Sequence, residues 1–101
     1  MEYNLDNLIK SFEQVNQLQQ EAVKNTLLVC EPEINDILRL NLKGAKRIEC
    51  ILDMLLDVAF NAQVLKLFKQ LCRHYYFIDP QATVFYIQSY REMWDMDDNV
   101  E

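Results

Sequence analysis

The chain reads as all-α: a single domain, 1–101, folded as a compact bundle of four to five helices around a central apolar helix at about 45–60. Three observations predict this class. A single glycine, Gly44, and two prolines, Pro32 and Pro80, leave almost none of the turn chemistry that hairpins require. Apolar residues recur three and four positions apart along most of the chain, the period of a helix face. Half of the residues are hydrophobic and 11% aromatic, which is ample for a core and incompatible with disorder.

Asn4–Thr26 is expected to be the first helix, amphipathic, with Asn4 or Asp6 as N-cap. Leu5, Leu8, Ile9, Phe12, Val15 and Val23 mark its apolar face. Asn16–Gln20 interrupts that face with amides, which disfavours a strict coiled coil and suits a helix that docks by its two ends. The run Leu27–Cys30 ends at Glu31-Pro32, and proline suits a first helical turn, so a short second helix is expected over Glu33–Asn41. Gly44 is the expected left-handed C-cap and the best break in the chain.

Lys46–Phe60 organises the rest. Its polar residues Glu49, Asp53 and Asp57 recur every four positions, so a helix stacks them into one narrow stripe and is apolar in every other direction. Such a helix is expected to be buried, meeting water only along the stripe. It falls short of the roughly 18–20 apolar residues needed to cross a bilayer. Near Asn61 the pattern changes phase and a turn is expected. Beyond it, Val64, Leu67, Phe68 and Leu71 carry the apolar face, and Lys66, Lys69 and Arg73 form a cationic row. Asp79-Pro80, an acid N-cap before a first-turn proline, starts the last helix, expected to run to about Trp94 or Met96. Residues 94–101 form an acidic tail expected to fray, because acids oppose the helix dipole at a C-terminus.

Several function classes are disfavoured. Net charge is −6, which opposes generic binding to nucleic acid or to anionic membranes. Cys30, Cys50 and Cys72 are odd in number and set among apolar residues, as expected of reduced, buried thiols in a cytoplasmic protein. The N-terminus has no basic and apolar leader pattern. His74, the lone histidine, follows Cys72 by two positions, about 200° around a helix, so the two cannot share a metal. The Glu49, Asp53 and Asp57 stripe lacks the Glu-x-x-His partner of di-iron sites. Asp95-Met96-Asp97-Asp98 opens like a calcium loop but lacks its sixth-position glycine and twelfth-position glutamate. No glycine-rich phosphate loop or nucleophile elbow occurs. Neither a metal nor a cofactor is expected.

The aromatic residues carry the functional expectation. Seven of the eleven fall between Tyr75 and Trp94, spread over more of the helix circumference than one core stripe buries. Tyrosine and tryptophan beside Arg73, Arg91 and Met93 match the composition of interface centres. The chain is therefore expected to be a non-catalytic interaction or regulatory protein that binds a protein partner or itself. Tyr76, Phe77, Tyr86, Tyr90, Met93 and Trp94 are the expected interface. The alternative is a nucleic-acid accessory protein using the basic patch Arg39, Lys43, Lys46 and Arg47 around Gly44.

Overall fold

The computed structural model describes residues 4–94, apart from the side chain of Phe12. The expected acidic tail beyond Trp94, with its calcium-loop-like opening, lies outside the described residues. Four α-helices make up the fold: α1 (Leu5–Leu40), α2 (Ala45–Leu56), α3 (Ala62–Tyr76) and α4 (Pro80–Met93). No strand occurs among the described residues.

The helices begin where side-chain chemistry lets them. Asn4 caps α1, its Oδ1 accepting the Asp6 amide at 2.9 Å. Asn61 caps α3 in the same way, accepting the Gln63 and Val64 amides at 2.9 and 3.1 Å, so the expected turn is present. Asp79 caps α4 by accepting the Ala82 amide at 3.0 Å, with Pro80 in the first turn. The break before α2 differs in detail from expectation. Asn41, not Gly44, takes the left-handed conformation (φ 53°, ψ 48°) that ends α1. Gly44 is instead the extended N-cap of α2 and forms no side-chain cap.

The two helices expected over Asn4–Thr26 and Glu33–Asn41 are one, with Pro32 inside it. Proline has no amide hydrogen to donate and its ring crowds the carbonyl of Leu28, which is left without its helical partner. Pro32 lies two residues from both Cys30 and Ile34, and so about 200° from the buried stripe they share. Pro32 and Leu28 are both exposed, so water can satisfy that carbonyl. Burial of Cys30, Ile34 and Ile37, each 0% exposed, holds the helix on course from both sides of the break in its ladder.

The core is built by α1 from Val23 onward together with the other three helices. α3 packs against α1, α2 and α4, whereas α2 packs chiefly against α1 and α3. Ile48, Leu52 and Leu55 of α2 and Val64, Leu71 and Tyr75 of α3 are at most 1% exposed. The apolar stretch expected to continue as one helix to residue 60 leaves α-helix at Leu56, and its far side carries the exposed Cys50. α3 packs broadly against all three other helices, and α2 also reaches α4 through Glu49 and Tyr86. The α3–α4 seam opens to solvent.

The 36 residues of α1 span about 54 Å, while α2 to α4 span roughly 18–22 Å each. One end of α1 therefore runs past the packed body. Every described side chain from Asn4 to Ala22 is exposed, including Leu5, Leu8, Ile9, Val15 and Leu18.

Candidate functional site

A groove of about 720 Å³ runs along the α3–α4 seam. From α3, Leu65, Phe68, Cys72 and Tyr76 line it at successive turns, and from α4, Thr83, Ile87 and Tyr90 do the same. Phe68 and Tyr90 meet across the floor with ring centroids 5.9 Å apart. Phe77, 88% exposed, stands at one end with its ring edge-on to Tyr76. Lys69, Arg73 and Arg91 complete the lining, and among the described residues no carboxylate contributes to it. Lys66 and Gln70 continue the cationic side in an adjoining shallow depression. The result is an apolar trough with a positive rim.

The expected interface residues divide between this groove and the core. Tyr76, Phe77 and Tyr90 line the groove. Met93 is 44% exposed but lies outside it. Tyr86 is buried, its hydroxyl 3.5 Å from the Glu49 carbonyl oxygen. Trp94 is half-buried: its indole N–H donates to the Leu56 carbonyl at 2.8 Å, and its ring packs edge-on against Phe60. Both tie α4 to α2 and are framework. Leu65, Phe68, Thr83 and Ile87 were not among the expected interface residues; Arg73 and Arg91 were read beside the aromatics, but Lys69 only as part of a cationic row. The signal was present, since Lys69 and Arg73 follow Phe68 and Cys72 by one position and so flank their face. What the sequence could not supply was the alignment of α4 against it.

The acidic stripe of α2 has partners that sequence did not reveal. Glu49 accepts the hydroxyl proton of fully buried Tyr75, and the Asp53 carboxylate faces the Tyr86 hydroxyl. Burial first, and these carboxylates second, hold both phenols well above their ordinary range. The stripe is thus not merely a solvated edge. It accepts hydrogen bonds from α3 and α4.

The basic patch around Gly44 is partly neutralised. Arg39 pairs with Asp36 at 3.1 Å, and both Nε and Nη2 of Arg47 donate to one Glu33 oxygen, Nε at 2.9 Å. Lys43 and Lys46 are exposed beside them. His74 points back to the α1–α2 link, its Nε2 lying 2.6 Å from the Leu42 carbonyl oxygen, so that nitrogen carries the proton and donates. Cys30 and Cys72 are buried thiols as expected, but Cys50 is exposed. Burial pushes the Cys72 thiol up to about 12. Among the described residues, no three histidine, cysteine or carboxylate side chains gather as a metal set, and no helix is long and apolar enough to cross a membrane.

Compared with family models, with curated proteins and with solved structures, the chain finds no match in any of the three.

Proposed function

We propose that the protein is a non-catalytic cytoplasmic interaction module that binds a protein partner through the α3–α4 groove. The carrying observation is the groove itself, whose buried floor of Phe68, Cys72 and Thr83 is edged by Tyr76, Phe77 and Ile87, apolar side chains from both helices that stay exposed to solvent. An open apolar trough edged by tyrosine and arginine has the make-up of a helix-binding surface. Three unpaired thiols, one of them exposed, support a reducing compartment. The nucleic-acid alternative is weaker, because two of its four cations are already paired with carboxylates.

Site-specific photo-crosslinking tests the reading. A crosslinking residue at Phe77 should capture a discrete protein from native-host extract, and one at the exposed Gln88 should not. Ile87→Asp, placed in the groove, should abolish the Phe77 product while leaving the helical circular dichroism spectrum intact. Equal products from both positions, or indifference to Ile87→Asp, would remove the groove from consideration.

A second reading, self-association through α1, is favoured by the bare stripe of Leu5, Leu8, Ile9 and Val15. Dilution-resolved light scattering of the wild type against Leu8→Glu would show it.

A further inference from the structure

Given that the groove is the docking surface, we propose that its occupant is an acidic amphipathic helix of about three turns from a protein partner, seated with its apolar face on the trough and its carboxylates on the rim. The charge distribution carries this. The chain holds sixteen acids against ten bases, yet α3 contains Lys66, Lys69, Arg73 and not one carboxylate. Among the described residues the α3 side of the groove lining repeats that bias, with Lys69 and Arg73 and no acid. Within the roughly 8–10 Å over which salt leaves charges in communication, a ligand meets this positive rim rather than the net charge of −6.

The length follows from the spacing. From Leu65 to Tyr76 the α3 wall runs about 17 Å, three helical turns, with a groove residue at each turn. Apolar anchors at i, i+3 or i+4 and i+7 would interdigitate with that ladder, as ridges of one helix enter the grooves of another. Lys69 and Arg73, four residues apart on one side, would face carboxylates four residues apart on the incoming helix. A nucleic acid fits less well. Tyr76 and Phe77 offer it rings to stack on, but the trough between them is aliphatic at Leu65 and Ile87, and a long polyanion would meet the acidic remainder of the chain.

The test uses the full chain and three fluorescein-labelled probes followed by anisotropy. One is an 18-residue helical peptide with leucine at i, i+3, i+4 and i+7 spacing and glutamate on the flanks. The second replaces its glutamates by lysine, and the third is a single-stranded oligothymidine. The acidic peptide should bind, weaken with added salt, and lose about tenfold or more in affinity to the charge-reversed Lys69→Glu/Arg73→Glu protein. The lysine peptide should show the opposite preference between wild type and variant. Equal binding of both peptides to the wild type, no binding of the acidic one, or tighter binding of the oligonucleotide would overturn the proposal. So would a concentration-dependent dimer abolished by Ile87→Asp, since the occupant would then be a second copy. Failure of the acidic peptide while Phe77 still crosslinks a partner in an Ile87-dependent way condemns the occupant and keeps the groove. Loss of both condemns the groove.

Discussion

Tyr75 shows how one buried residue links the charge pattern of the sequence to the behaviour of the protein. Its phenol is fully enclosed and donates to Glu49, while Tyr86 lies beside Asp53. In both, the folded state holds the proton more tightly than the unfolded chain, and burial does the same to the thiols of Cys30 and Cys72. All four groups are neutral when protonated. Their contribution is therefore complete below the unfolded values, 9 for the thiols and 10 for the phenols, and is lost as pH rises beyond them. Each can lower stability by up to about 1.4 kcal/mol per pH unit over that window. Thermal melts should be flat to about pH 9 and fall steeply from pH 10 to 11, with a shallower fall in Tyr75→Phe. An unchanged slope in that variant would mean that Tyr75 ionises as easily folded as unfolded. The Glu49/Asp53/Asp57 periodicity was legible in sequence as a stripe, but its purpose was not. The hydroxyls that meet Glu49 come from 26 and 37 positions away, and no local pattern announces which tyrosine will arrive there.

At the scale of elements, local chemistry marked the starts of α1, α3 and α4, because Asn4, Asn61 and Asp79 each satisfy amides that a helix leaves open. It misled at Pro32, where a proline that opens helices elsewhere sits inside one. Burial of Cys30, Ile34 and Ile37 outweighs a break that costs about 3 kcal/mol in an exposed helix interior. Since the ring contributes no buried contact, Pro32→Ala should restore the missing bond to Leu28 and stabilise the protein. A gain of about 1–3 kcal/mol is expected, part being offset by greater freedom of the unfolded chain. For a domain of this size that is a rise in melting temperature of the order of 4–8 °C per kcal/mol. Denaturant melts of the two proteins check it directly. A loss of stability would show that the proline sets a bend on which the packing of α1 depends.

The whole molecule divides into a packed body and an arm. Among the described residues the body holds every buried side chain, from Val23 to Tyr86, and the groove lies at its solvent side, between α3 and α4. Helix count and class could be read from periodicity. The arm could not, since an amphipathic stripe looks the same whether a neighbour covers it or nothing does. That difference has a measurable consequence. Most helical stability comes from tertiary packing rather than propensity, and the arm carries the polar run Asn16–Gln20 and has every described side chain from Asn4 to Ala22 exposed. Removing residues 1–20 should therefore shift the melting temperature of the body by no more than about 2–4 °C, the effect of altering exposed surface alone. In the full chain, mean residue ellipticity should rise with protein concentration, because self-association through Leu5, Leu8 and Ile9 would supply the packing that the arm lacks. The shortened chain should show no such dependence. If truncation instead unfolded the body, the apolar face of the arm would have to be held against it, and the bare stripe would not exist in solution.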